Sequence, residues 1–469
     1  MEPPNPTPPR THLLHRSRSH WFHSAEPYAP SAPLEGVLEV DVCVVGGGVT
    51  GVSTAYHLKE MDPHVSVALL ESEVVGFGAS GRNAGQLIVA FGESDFKAQM
   101  RRHGAAKLRE AYTYIHEGIS TIEALIDEHD IDCDYEQTGY FEMGLRADDS
   151  TTLDEYLAFC REIGQESFLE QISEAQVARS FQSPHFGRAV FDRRGGQFNP
   201  LKYLRALKLV AQRLGVQVHE NSPVVCIERE PSCIRLQTGS GTLRCQKLVV
   251  ATNAYSHLLP GLEDLGMVRS QSPVFVYANV TEPLSEPHWR ALNWPRRAGV
   301  NLMSKLFYSF APTRDGRLLY VGGYYARVPQ GNDMSLDISS NFLREGPRHL
   351  TSFFPALSDL RTAQSWGGPI STTRDFVPHV GLLADGRIGY ANGCWGHGMP
   401  LGTRNGRTLA RLMLDRQAPD AESWLVTRNK IDWPSRMIVS PLVRSLSAAV
   451  RRDIRKIGRK MQPRLIFEK

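Results

Sequence analysis

The stretch Glu39-Val40-Asp41-Val42-Cys43-Val44-Val45-Gly46-Gly47-Gly48-Val49-Thr50-Gly51 runs a β-branched, apolar segment directly into three glycines. Such a run before a glycine turn reads as a buried strand. The residues from Gly51 to about Glu60 then read as a helix, and Ser66 to Leu70 as a second strand. Gly46, Gly48 and Gly51 fall at the spacing GxGxxG, and each has a physical task. Gly46 permits the tight turn, Gly48 lets backbone approach a pyrophosphate, and Gly51 lets the helix lie close on the strand. The helix start offers unpaired N–H groups to phosphate, with Val45, Val49 and Thr50 completing the turn. Glu71 ends the second strand, where it can bind ribose hydroxyls. The whole context predicts an α/β, Rossmann-like dinucleotide-binding domain.

After Glu71 the chain does not go straight to another helix and strand, as an NAD domain would. It continues Val75-Gly76-Phe77-Gly78-Ala79-Ser80-Gly81-Arg82-Asn83-Ala84-Gly85-Gln86. A glycine-dense loop with a hydroxyl, a guanidinium and an amide can wrap a second phosphate and approach a flat ring, which favours FAD. Leu248 to Ala254 is an apolar strand ending in small residues, Thr252 among them, suited to lie against a nucleotide. Late in the chain, Tyr390-Ala391-Asn392-Gly393-Cys394-Trp395-Gly396-His397-Gly398-Met399 joins a strand to a helix over Thr403–Leu414. That turn can aim N–H groups and a positive helix end at the flavin pyrimidine carbonyl, where reduced flavin carries negative charge. His397 alone reads more readily as a structural histidine than as a base.

A chain of 469 residues allows two or three domains. Pieces of βαβ pattern at both ends surround a strand-rich middle. The organisation expected is a discontinuous FAD-binding domain over 37–110, 190–260 and 360–425, with an inserted antiparallel-sheet substrate domain over 111–189 and 261–359. Residues 1–36 are rich in proline and lack apolar periodicity, so they read as a disordered leader in preference to a transit peptide. In the segment 426–469, Leu442, Leu446, Val450, Ile454, Ile457 and Met461 recur at helical spacing among arginines and lysines. A basic amphipathic helix can lie on anionic membrane. Packing on the catalytic body is the favoured reading.

A net charge of +3 gives no reason to expect a nucleic-acid partner, and no apolar run reaches eighteen residues. The seven cysteines are scattered without CxxC spacing, which argues against a disulfide framework and a zinc site. It points to a reducing, cytoplasmic setting. No metal is expected.

The chain resembles the D-amino-acid oxidase superfamily of FAD-dependent oxidoreductases, and within it the gamma-glutamylputrescine oxidase group. The likeness is carried by GFGASGRNAGQL (Gly76–Leu87), IDCDY (Ile131–Tyr135), Gly195-Gly196 to Asn199-Pro200, ATNAY (Ala251–Tyr255), RLLYVGG (Arg317–Gly323) and GHGMP (Gly396–Pro400). It implies noncovalent FAD, with ribose on Glu71 and pyrophosphate on the Gly46–Gly51 turn. It puts Ser80, Gly81, Arg82, Asn83 and Gln86 near pyrophosphate and flavin, Val224 by adenine, and Gly396, His397, Gly398 and Met399 by the ring. Covalently flavinylated relatives carry cysteine or histidine where this chain has Gly368 and Arg82. One departure stands out: Ser309-Phe310-Ala311 replaces an aromatic–aromatic–arginine run. Without that arginine, the far end of the substrate is expected to be neutral or cationic, unless Arg314 or Arg327 reaches in.

The reaction this implies is hydride removal from the carbon next to an amine, in a dry aromatic pocket. Tyr308, Phe310, Trp366, Trp395 and His397 are the expected wall and positioning residues, and the electron acceptor is oxygen or another oxidant. Two alternatives stay open: an NAD-dependent dehydrogenase, and a flavin-binding protein whose substrate site has decayed.

Overall fold

Both faces of the first sheet are covered, which is why its strands read as unbroken apolar runs. Gly36–Val45 lies at its centre, parallel to Val67–Leu70 on one side and Gly241–Val250 on the other. Gln217–His219 and Ile388–Asn392 extend the parallel core at either end, and His379–Leu383 adds an antiparallel edge. The computed structural model describes residues 15, 18–92, 95–148, 151–329, 332–338, 340–383, 386–433, 452–461 and 464.

Two helices lie side by side on this sheet, Val49–Met61 and Gly398–Leu414. Gly402 and Gly406, one turn apart, let them touch: a Cβ at either would come within 2.6 Å of Val49 or Ser53. The pairing of 402 with 49 and of 406 with 53 makes the helices parallel. Their N-termini therefore open at the same place, a consequence of two glycines.

The second sheet runs in the order Thr362–Thr373, Gln271–Thr281, Leu318–Arg327, Tyr308–Pro312, Gly299–Leu302, Tyr140–Leu145, Phe186–Asp192, Leu169–Ile172. Every pairing is antiparallel except Gly299–Leu302 with Tyr140–Leu145. An inserted, mainly antiparallel sheet is thus present, but its limits differ from those expected. Thr362–Thr373 forms its edge although it falls within 360–425. The long helix Phe96–His129 and the helix Thr152–Glu162 instead bury Ile115, Ile122, Tyr156 and Phe159 in the core beneath the first sheet, beside Val52 and Leu409. Their apolar stripes face helices of the nucleotide domain, a partner that spacing alone does not name.

The leader is also corrected. From Ser19 onward it packs: Trp21 is 5% exposed, Leu34 is 1% exposed, and the Tyr28 hydroxyl donates to Glu220 at 2.7 Å. Its anchors are single residues gripping different elements, so they show no periodicity. Residues 1–14 lie outside the described residues. In the tail, residues 452–460 are helical, and Ile454 and Met461 are buried in the core of the second sheet. Packing on the body holds there, while Leu442, Leu446 and Val450 lie outside the described residues. Among the described residues, no helix is long and apolar enough to cross a membrane.

Candidate active site

A cavity of about 1020 Å³ runs from the two helix N-termini to the second sheet. That is the upper end of the range for small-molecule sites, room for a dinucleotide and a small substrate. Glu71 and Val224 line one end, and Val45, Gly46, Gly48, Val49, Thr50 and Thr252 line its floor. Gly46 has a φ of +113°, and a Cβ there would stand 2.8 Å from the Ala251 carbonyl. A Cβ on Gly51 would lie 1.9 Å from the Gly46 carbonyl, so Gly51 serves packing behind the cavity. Gly48 caps the helix with no side chain, and the first N–H of the opening turn, that of Val49, donates to Ser80 Oγ at 2.9 Å, so the loop hydroxyl stands at the helix end expected to meet phosphate. Glu71 accepts N–H groups from Gly47 at 2.6 Å and Glu73 at 2.9 Å. Burial raises its pKa above the ordinary carboxylate value, and those N–H groups act against the rise. A bare turn, a helix end flanked by the Ser80 hydroxyl and a carboxylate one strand away fit the phosphates and ribose of FAD.

The loop Ala79–Gln86 is held from behind. Ser19 Oγ donates to the Gly81 carbonyl at 2.5 Å, Trp366 Nε1 to that of Arg82 at 2.9 Å, and Trp21 Nε1 to that of Asn83 at 2.8 Å. Asn83 also closes the loop on itself, donating to the Ser80 carbonyl at 2.7 Å and accepting from Gly85 N at 2.9 Å. Three successive carbonyls are thereby fixed on donors. Ser80, Arg82, Asn83 and Gln86 line the cavity, while Gly81 is a packing residue whose Cβ would lie 2.2 Å from the Gly76 carbonyl. Arg82 donates to the carbonyls of Phe77 and Gly367, both at 3.0 Å. It braces the loop against the second sheet.

Gly396, His397, Gly398 and Met399 line the cavity where the second helix begins. His397 caps that helix without a side-chain bond, and its Nδ1 is buried with no partner. Burial pulls its pKa down to about 4, so the ring is neutral at pH 7. Trp395 stands at φ +49°, its ring stacked on Phe376 at 4.4 Å and its Nε1 donating to Thr373 Oγ1 at 3.0 Å. A strained backbone held by stacking and a hydrogen bond is the mark of an over-determined site residue. Trp395 and His397 are thus at the cavity.

Tyr308, Phe310 and Trp366 are not. Tyr308 and Phe310 point to the far side of their strand, packed on Phe353 with the Tyr308 hydroxyl at His349 Nδ1. The residue between them, Ser309, faces the cavity beside Asn301 and Gln86. Trp366 packs with Trp21 and Leu319, and its contribution is the loop bond already described. Ala311 belongs to that same cluster, so an arginine's absence there does not shape the cavity wall. Arg314 pairs with Glu136 at the surface, and Arg327 is exposed. Beside Ser309, residues not singled out from the sequence complete the substrate end: Asn301 and a group around Glu142, Tyr112 and Tyr156.

Residues 41–412 match the DAO family, described as FAD dependent oxidoreductase. The chain is 30% identical over 403 residues to gamma-glutamylputrescine oxidoreductase of Escherichia coli K12, covering 86% of this chain and 90% of that protein. L-proline dehydrogenase from P. horikoshii superposes with a TM-score of 0.68 at 19% identity, over 84% of this chain and 97% of that one. Glycine oxidase from Geobacillus kaustophilus gives 0.66 at 20% identity, over 80% and 95%. A match over most of the length, on the residues that build the cavity, leaves no place for an NAD-dependent dehydrogenase: the chain belongs to the DAO family and is an FAD-dependent oxidoreductase.

Proposed function

We propose that the protein oxidises the carbon–nitrogen bond of a small amine or amino-acid derivative to an imine, in the manner of the gamma-glutamylputrescine group. The observation that carries this is the continuity of the cavity. Beyond His397 it does not close but extends to Ser309, Asn301 and an aromatic end, so a small molecule can lie across the flavin position. The relatives reported above have an amine or amino acid in their names.

When bound, FAD supplies a two-electron acceptor: the α-carbon hydrogen leaves with its electron pair, the nitrogen lone pair closes a C=N bond, and an N–H proton goes to solvent. The chain's own part is positional. The apolar walls favour the free-base amine, whose lone pair the reaction needs. Neutral His397 brings no positive charge that would repel a residual ammonium. The N-terminus of the Gly398–Leu414 helix would place partial positive charge at the ring, where negative charge develops.

The test is a panel of amines and amino acids with an artificial acceptor, followed by detection of the carbonyl compound formed when the imine hydrolyses. At least one small amine should yield that product, and repeating the assay with oxygen alone identifies the acceptor. FAD-loaded protein that turns over no compound of the panel would overturn this reading in favour of a decayed substrate site.

A further inference from the structure

Glu142 is a carboxylic acid in the part of the cavity that is otherwise aromatic. It sits within the strand Tyr140–Leu145, is 7% exposed, and shares the lining with Phe91, Phe96, Tyr112 and Tyr156. Strand alternation sends Phe141 and Met143 into the second core and leaves Glu142 on the cavity side. The aromatic rings brace one another, with Phe96 at 5.2 Å from Tyr156 and Phe91 at 6.2 Å from Tyr112.

Among the described residues, no hydrogen-bond donor or cation reaches the Glu142 carboxyl. Its neighbours are Tyr140 on its own strand, Asp192 on the adjacent one, Tyr112 on the long helix, and Tyr156 and Cys160 on the next. Arg194 is already bound to Asp192 at 2.6 Å, and that carboxylate also accepts from the Tyr140 hydroxyl at 2.9 Å. Lys305, the other cavity cation besides Arg82, is largely exposed and pairs with Asp453 at 2.9 Å. A buried carboxyl without a partner is costly. Aromatic faces around a carboxylate are the surroundings an alkylammonium group takes.

We propose that Glu142 anchors a second, non-reacting ammonium group of the substrate, so that the enzyme prefers diamines and polyamines to monoamines. This rests on the amine reading given above. With the cavity empty, burial and then the charge of Asp192 push the Glu142 pKa up to about 8, so the carboxyl keeps its proton near neutrality. An entering ammonium displaces that proton to water and donates N–H to the carboxylate, leaving the pair neutral overall. The other nitrogen, as free base, is left for the flavin end.

The test is equilibrium dialysis of FAD-loaded protein under nitrogen against α,ω-diamines of three to six carbons and the matching monoamines. At least one diamine should bind on the order of thirtyfold more tightly than its monoamine, the scale of a hydrogen bond to a charged group. In Glu142→Gln, which keeps shape and loses charge, that ratio should fall to within about threefold of one. Equal binding in the wild type, or a preference that survives Glu142→Gln, overturns the proposal. Flavin bleaching is read on the same samples. Diamine preference without bleaching by any amine would instead count against amine oxidation while leaving the cation site standing.

Discussion

Glu142 enters the fold as an acid and keeps its proton up to about pH 8, whereas in the unfolded chain it ionises around 4.5. Between those values folding takes up a proton, so this contribution is full below about pH 4.5 and is lost as pH rises through 8. Glu142→Gln cannot titrate. With no amine present, its stability relative to wild type should therefore improve from pH 5 to pH 8, by at most about 4 kcal/mol. Urea unfolding at both pH values checks this, and identical pH slopes for the two proteins would sink it. The same scale shows what the sequence could and could not tell. GxGxxG, Glu71 and GHG were legible because each is bound to a backbone requirement. Which of Tyr308, Ser309 and Phe310 meets the cavity was not, because the strand Tyr308–Pro312 is buried on both faces and offers no alternation. Glu142 carried a signal that passed unread: an acid inside an otherwise apolar strand, Tyr140-Phe141-Glu142-Met143-Gly144-Leu145.

Among the elements, the loop Ala79–Gln86 depends on parts of the chain distant in sequence. Its carbonyls at 81, 82 and 83 rest on Ser19, Trp366 and Trp21, two of them from the segment read as a disordered leader. With those carbonyls fixed, the loop meets FAD already shaped, and ordering it on binding costs less. Trp21→Phe removes the N–H donated to Asn83 together with the outer indole ring that lies against Gly85. It should weaken FAD binding by at least about threefold to tenfold, the worth of one ordinary hydrogen bond. Fluorescence titration of the apoprotein with FAD measures this, and an unchanged dissociation constant would contradict the clamp. No periodicity reveals such a device. Its residues are a serine and two tryptophans whose partners lie about 60 and 280 residues away.

Across the whole molecule, the cavity exists because two parallel helices open toward a second sheet that the chain reaches through long insertions. The split domain could be inferred from βαβ pattern at both ends of the chain. The true borders could not, since the helices Phe96–His129 and Thr152–Glu162 and the strand Thr362–Thr373 each pack across the expected boundary. On the proposed function, the amine carbon would lie against the flavin and its hydrogen would leave in the reducing step. The direct measurement is anaerobic, single-turnover reduction of the FAD-loaded protein by its best amine, run beside the same amine deuterated at the α carbon. The account predicts full bleaching of the flavin band, slower with the deuterated compound, and release of one carbonyl equivalent per flavin. Bleaching that is indifferent to deuterium, or a flavin that stays oxidised with every amine while chemical reductants bleach it, would contradict it.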